Sequence, residues 1–307
     1  MPHFEQNDRL NIENQTIIFK EYIGTAGNSD VYKVINNDKK KYMALKHMYG
    51  YYSTNPQLFY RNLKHLCQLE SPHTSLVWPY SVGTYNHDTQ SFVYLMELLP
   101  PDYKPLVSVM KDKDRGQITE NQRRMIAIKI TDVFATLHKK GFIYCDISGR
   151  NIVYKINQDG AVDVKVINCD NISFDGLTLG LRGTGLFRSP ELFLGGNPSF
   201  QSDAHALAVI IFWLFVGTHP LDGKLTRSKP FTIDLVKESF GDNPVYIFEK
   251  NSINPPIHDR YLQRFNSLSP QLQMYFNLMF CQSSLHNSQH RPDLEILYKI
   301  LTEEDHV

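Results

Sequence analysis

Four stretches of the chain set residues that can do chemistry among apolar neighbours. In Tyr144-Cys145-Asp146-Ile147-Ser148-Gly149-Arg150-Asn151 a carboxylate and an amide stand five positions apart. A carboxylate is a proton acceptor; its bland alternative here is to cap a turn. Met43-Ala44-Leu45-Lys46 carries an ammonium on an apolar strand, a position that ordinarily puts lysine on a surface edge. Ile23-Gly24-Thr25-Ala26-Gly27-Asn28-Ser29-Asp30-Val31 is a turn of small residues, which permits close approach of backbone to a ligand. Alone it reads as an ordinary hairpin. Val164-Lys165-Val166-Ile167-Asn168-Cys169-Asp170 brings a strand up to an amide and a carboxylate. The amide is the poorer ligand for a hard cation, which prefers anionic oxygen. Each signal is weak singly; their order and spacing carry the weight.

The elements that must position these residues fall into two kinds. Up to about residue 99 strand signals dominate: Ile17 to Ile23, Val31 to Ile35, Lys41 to Met48 and the apolar run Ser91 to Leu98. One helix, expected over Pro56 to Leu69, interrupts them with leucines at 58, 63, 66 and 69. After Pro100-Pro101 helices take over, roughly Glu120 to Lys140, Ser202 to Val216, Pro270 to Phe280 and Asp293 to Thr302. This predicts an α+β chain with a β-rich lobe over residues 1–99 and a mainly helical lobe over 100–307. Nucleotide sites favour the clefts of such arrangements.

In this order the motifs resemble those of the protein-kinase family, over nearly the whole chain from Ile17 to Leu301. The small-residue turn is similar to the glycine-rich loop, with Ala26 and Ser29 where its second and third glycines belong, and Met43 to Lys46 is similar to V-A-I-K. Tyr144 to Asn151 resembles H-R-D-L-x-x-x-N, and Asn168 falls at the aspartate of D-F-G. Gly183-Thr184-Gly185-Leu186-Phe187-Arg188-Ser189-Pro190-Glu191 resembles the segment that docks a substrate peptide. The resemblance implies a bilobal fold and transfer of the γ-phosphate of ATP, with Mg²⁺, to a protein serine or threonine. Asp146, Lys46 and Asn151 would be catalytic. Gly24, Gly27, Val31, Ala44, Lys46, Met96 (the gatekeeper), Glu97 and Leu99 would bind nucleotide. Asn151, residue 168 and, from two positions on, Asp170 are the metal candidates. Thr184 matches serine/threonine specificity, Glu191 would pair with Arg291, and Asp203 would brace the catalytic loop.

Departures from the pattern matter as much. Asn62 stands where the lysine's glutamate partner is expected, so that ion pair is absent or supplied elsewhere. Cys145 replaces the arginine that receives a loop phosphate, and Ser148 replaces a lysine near the γ-phosphate. Asn168 leaves three readings open: a natural pseudokinase serving as a nucleotide-binding scaffold, an engineered aspartate-to-asparagine change, or a carboxylate supplied by Asp170. On an extended strand residues two apart point the same way but lie roughly 6–7 Å apart.

The finer markers are similar to bacterial kinases of stress and tellurite-resistance gene neighbourhoods: Trp78-Pro79, Tyr94 to Pro101, Ile147 to Asn151, Ser202 to Ala208, His219 to Gly223 and Asn243 to Phe248. In that branch the metal motif tends to I-D-x-D-[NS], which Cys169, Asp170 and Asn171 fit, and relatives often lie beside a phosphatase and a von Willebrand-type domain protein. Composition is compatible. Lys+Arg and Asp+Glu both total 32, so no net field draws the chain to nucleic acid or anionic lipid, and Lys39-Lys40-Lys41 reads as a solvated hairpin tip. The four cysteines are scattered and form no CxxC pair, which argues against a disulfide framework and against a zinc site. The start of the chain lacks an apolar leader, and the longest apolar run, Ala206 to Gly217, is too short to span a bilayer. A cytoplasmic location is expected. His286 and His290 read as solvated loop residues.

Overall fold

The computed structural model describes the chain except for residues 1–2, 26, 51, 181–182, 229, 231 and 304–307, and the side chains of 112–114. Ala26 of the small-residue turn therefore lies outside the described residues. The chain divides into two compact units: residues 1–103 with 167–171 and 179–181, and the remainder.

The first unit is built on strands β1 (Arg9–Ile12), β2 (Gln15–Thr25), β3 (Ser29–Asn36) and β4 (Lys41–Met48), helix α1 (Pro56–Leu66), then β5 (Pro79–Val82) and β6 (Phe92–Met96). The strands form one antiparallel sheet in the order β1-β2-β3-β4-β6-β5. Alternation fixes its faces. Ile17 and Phe19, Tyr32 and Val34, Met43 and Leu45, and Val93 and Leu95 are all buried in one cluster. Each such side chain contributes roughly 1.5–3 kcal/mol. Because the side-chain period is 2, Lys46 points to the opposite face of β4 from Leu45 and His47. Two strands, β1 and β5, were not expected: β1 offers only Leu10 and Ile12 as apolar alternation, and β5 begins on proline.

Helix α1 starts where proline at its first turn and an Asn55 cap accepting from Leu58 N (3.1 Å) predict. It stops at Leu66 instead of running to Leu69. Gln68 N and Leu69 N instead bond three residues back, to His65 O and Leu66 O (3.0 Å each). The Trp78 indole N–H then donates to the carbonyls of Leu66 (3.0 Å) and Leu69 (3.1 Å), capping the helix end and the turn after it.

The second unit contains β7 (Lys104–Pro105), α2 (Val107–Met110), α3 (Glu120–Lys139), β8 (Phe142–Ile143), β9 (Ile152–Ile156), β10 (Val162–Val166), β11 (Ser173–Phe174), α4 (Pro190–Phe193), α5 (Phe200–Val216), α6 (Lys224–Arg227), α7 (Ile233–Lys237), α8 (Asp259–Asn266), α9 (Pro270–Phe280), α10 (Gln282–His286) and α11 (Leu294–Glu303). Helix α5 is its axis. A Ser199/Ser202 capping box opens it, and Gly217 at φ 91° closes it in the left-handed conformation glycine adopts without cost. It is buried nearly all round, as its unbroken apolar run requires. Among the described residues no helix is long and apolar enough to cross a membrane.

Two histidines in this core must stay neutral. Burial pushes His219 down to about 4, and its ring already has both roles of the neutral form filled, bonding Leu186 O (2.9 Å) and accepting from Leu221 N (3.1 Å). His205 is fully buried on α5 and is pushed well below the ordinary value by burial, with Arg291 and His219 adding to the shift. A histidine with a depressed folded pKa contributes stability above its unfolded pKa and loses it as the pH falls toward the folded one. Unfolding stability should therefore drop by about 1 kcal/mol between pH 7 and pH 6 from this pair. Urea titrations at the two pH values measure it, and His205→Leu should flatten the decline.

Candidate functional site

In the first unit Lys46 is the organising charge. It is 6% exposed on β4, and its Nζ donates to Asp170 Oδ2 (2.9 Å), Asp170 Oδ1 (3.2 Å) and Asn168 Oδ1 (3.0 Å). The Tyr94 ring, across the β4–β6 ladder, lies 5.9 Å from the ammonium. Asp170 thus supplies the anion for which the helix offers only Asn62, buried on α1. Sequence reasoning missed this pairing because it treated residues 168–170 as extended. They are not: Asn168 has φ 56° and residues 169–171 form a 3-10 turn. Asparagine is among the few side chains that enter the left-handed region readily. The turn folds residues 168 and 170 back so that both reach one ammonium.

The small-residue turn sits between β2 and β3. Gly24 pairs with Val31 across the ladder, and Gly27 has φ 60° with open space where a Cβ would sit. A cavity of about 320 Å³ is lined by Gly27, Asn28, Ser29, Lys46, Asn168 and Asp170, among others. The cavity thus holds the turn's backbone, the Lys46 ammonium and the Asp170 carboxylate that pairs with it. Ala44 and Met96 pair directly across the β4–β6 ladder; Glu97 and Leu99 follow β6 outside any strand. The same unit includes residues 179–181, held where Ser53 Oγ donates to Leu179 O (2.5 Å). Gly180 is needed there. Its φ is +74°, and a Cβ would meet the Thr54 backbone nitrogen at 2.6 Å.

In the second unit the loop between β8 and β9 carries Asp146. Thr184 Oγ1 donates to Asp146 Oδ1 (2.6 Å), and Asn151 Nδ2 donates to Asp146 Oδ2 (3.0 Å) and to its carbonyl (2.8 Å). Asp203, 2% exposed near the start of α5, accepts from the Tyr144 (2.6 Å) and Cys145 (3.2 Å) amides, and His138 Nε2 lies 3.4 Å from it. That brace holds the loop while Cys145 takes φ 67°. The Cys145 thiol is buried, lies 3.3 Å from the Ser173 hydroxyl, and is pushed up by burial and by Asp203, so it stays a thiol. The hydroxyl of Ser148 is buried without a hydrogen-bond partner.

Glu191 and Arg291 form a two-pronged pair at 2.7 Å on each oxygen, with the arginine fully buried. Burial pushes the Glu191 carboxyl up, but hydrogen bonds from Arg291 and Ser189 and the arginine's charge outweigh it and hold it below the usual range. Arg291 also donates to Ser284 O (3.0 Å), and so ties α4 to α10. Asp146, Asn151, Thr184 and Asp203 are thus brought together in one network, with Glu191 and Arg291 paired in the same unit.

Comparison with known proteins agrees with these features. A family model described as "Protein kinase domain" matches residues 17–271. A probable serine/threonine-protein kinase of Clostridium perfringens is 23% identical over 205 residues, covering 66% of this chain and 29% of that protein. Mitogen-activated protein kinase kinase kinase 17 of Arabidopsis thaliana is 23% identical over 215 residues, covering 69% and 55%. The serine/threonine-protein kinase PknA of Mycobacterium tuberculosis is 24% identical over 215 residues, covering 66% and 48%. The matched part is therefore about half or less of each of these relatives' own length. With the strand-rich and helical units in the expected order and the family model spanning most of the sequence, the chain belongs to the protein kinase domain family.

Proposed function

We propose that this chain is a serine/threonine protein kinase that transfers the γ-phosphate of ATP, with Mg²⁺, to a protein hydroxyl. The observation that carries the reading is the hold on Asp146. Thr184 fixes one carboxylate oxygen and Asn151 the other, so the side chain is aimed rather than free to rotate. A carboxylate preset in that way suits the acceptance of a hydroxyl proton. Thr184, a residue typical of serine/threonine specificity, sits on that base.

The proposed roles follow from the two units separately. Lys46 would hold the α- and β-phosphates, leaving Asp170 as it does so, while Gly24, Gly27 and Val31 cover them and Ala44, Met96, Glu97 and Leu99 hold the adenine. The residues fit magnesium on the chemistry of their donors. In the second unit Asn151 commits its NH₂ to Asp146 and so presents its oxygen; in the first, residues 168 and 170 offer an amide oxygen and a carboxylate. Magnesium is commonly held by one or two carboxylates together with substrate phosphates. Its contribution when bound would be to neutralise charge building on the transferred group.

Asn168 supports a second reading, a nucleotide-binding pseudokinase, because the lysine it contacts already has its counterion within the unit. We also propose the finer assignments: a cytoplasmic kinase of the bacterial stress and tellurite-resistance type, with a phosphatase or von Willebrand-type protein as partner.

The test is phosphate transfer from labelled Mg·ATP, with hydrolysis to identify the acceptor residue. Phosphoserine or phosphothreonine is expected, and Asp146→Asn should lower the rate at least about 100-fold while ATP binding persists. Nucleotide binding without transfer, in this chain and in Asn168→Asp alike, would overturn the kinase reading in favour of the scaffold.

A further inference from the structure

On the face of the sheet opposite Lys46 lies a second cluster that the kinase reading does not use. Asp30 and His47 are direct cross-strand partners on β3 and β4, and His3 joins them from the segment before β1. One ligand atom of each lies within 4.8 Å of the other two, the only such group of histidine, cysteine and acidic side chains among the described residues. Asp30 is 2% exposed and His47 7%.

The carboxylate is arranged asymmetrically. Its Oδ1 accepts from Thr25 Oγ1 (2.7 Å), Tyr49 OH (3.1 Å) and Tyr22 OH (3.4 Å). Its Oδ2 faces His3 Nδ1 (3.0 Å) and Tyr32 OH (3.4 Å). Oδ1 is thus steadied by three hydroxyls while Oδ2 meets the His3 imidazole with one hydroxyl beside it, and outer hydrogen bonds of this kind orient a ligating carboxylate. The His47 ring packs edge-on against His3 at 4.7 Å between centroids, and its Nδ1 is buried with no hydrogen-bond partner. Leaving such an atom unpaired costs about 1–3 kcal/mol. His3 is positioned from its own backbone, since its N–H donates to Tyr32 OH (2.9 Å), and Asn7 N bonds Phe19 O (2.8 Å) a few residues on.

From this geometry we infer that His3, Asp30 and His47 form a transition-metal site, best suited to Zn²⁺, with three protein ligands and a fourth position open to solvent beside the exposed His3. Two imidazoles and one carboxylate are a donor set that zinc takes in tetrahedral geometry, with bonds of about 2.0–2.2 Å. Ligand atoms then lie about 3.3 Å apart. The His3–Asp30 pair is already at 3.0 Å, and His3, whose side chain is 45% exposed, can move the rest of the way. Calcium and magnesium, which want all-oxygen shells, are disfavoured. A bound ion would fasten His3 and the segment before β1 to the base of the small-residue turn, because Asp30 pairs with Thr25 across that turn.

The experiment is Zn²⁺ titration of the full chain, free of any polyhistidine tag, against a chromophoric chelator. One Zn²⁺ per chain is expected. His3→Ala and His47→Gln should each weaken it at least 10-fold, whereas His286→Ala/His290→Ala should leave it unchanged. Zn²⁺ should also slow amide exchange across residues 29–32 in the parent chain and not in His3→Ala. His3→Ala removes an exposed side chain, so it remains a fair test if His47→Gln misfolds. Absence of saturable binding, equal affinity in His3→Ala, or loss of binding in the 286/290 variant would overturn the assignment.

Discussion

Replacing Asn168 by aspartate is expected to raise the rate of phosphoryl transfer by roughly 100- to 1,000-fold. The substitution is nearly isosteric, and aspartate, like asparagine, tolerates the left-handed backbone that residue 168 adopts at φ 56°. What changes is one charge. The present amide oxygen lies 3.0 Å from Lys46 Nζ and offers a dipole where a carboxylate would offer an anion. A hard divalent cation discriminates strongly between the two. Removing a single preorganised electrostatic contact from a transition state typically costs about 2.7–4 kcal/mol, so adding one here should return a gain of that order. Steady-state kinetics with Mg·ATP on both proteins measure it, and the gain should fall mainly on kcat. If Asp170 already supplies the metal's carboxylate, the rate will change less than about 10-fold. That outcome would sink the claim that residue 168 limits catalysis.

The parts of this molecule that were legible in the sequence are those whose determinants are local. Asp146 and Asn151 are five residues apart in one loop, and the hydrogen bonds that join them follow from that spacing. Glu191 and Arg291 are a hundred residues apart, yet the motif resemblance alone pointed to their pairing, which the second unit contains. Periodicity found α3 and α9 with their ends nearly right, since caps at Thr119 and Ser269 mark where they begin. It overran α1, where the carbonyl of the last residue, Leu66, is bonded by Trp78, a side chain twelve residues beyond it.

The lysine's counterion was hidden for a different reason. Asn168 tolerates a left-handed backbone, but its type alone does not say that the chain reverses there. Only a positive φ at Asn168 makes Asp170 a partner of Lys46 rather than a side chain some distance along a strand. The histidine and aspartate cluster was invisible for a third reason. Its members lie at positions 3, 30 and 47 with no motif spacing, and only the β3–β4 register sets two of them side by side. Cysteine arithmetic argued against zinc and had nothing to say about imidazoles.

The Lys46–Asp170 pair gives the second large effect, and it is one of stability. Lys46 and Asp170 have side chains 7% and 2% exposed, so neither charge can be recovered by water if its partner is removed. Asp170→Asn would leave a buried ammonium facing two amides, at positions 168 and 170. Breaking a buried pair from one side costs about 3–5 kcal/mol, because the surviving charge has been taken out of water without compensation. Lys46→Met strands the carboxylate and should cost a similar amount. The double variant leaves no buried charge and should be more stable than either single one, so the coupling should exceed the cost of either single change, about 3–5 kcal/mol. Urea unfolding of the four proteins, with a probe in the strand-rich unit, closes the cycle. This reading needs no nucleotide, metal or phosphate transfer, so it separates Asp170 as a counterion from Asp170 as a metal ligand. If Asp170→Asn costs less than about 0.5 kcal/mol, the size expected of an exposed pair, the lysine's charge is satisfied by other groups and Asp170 is released for the metal.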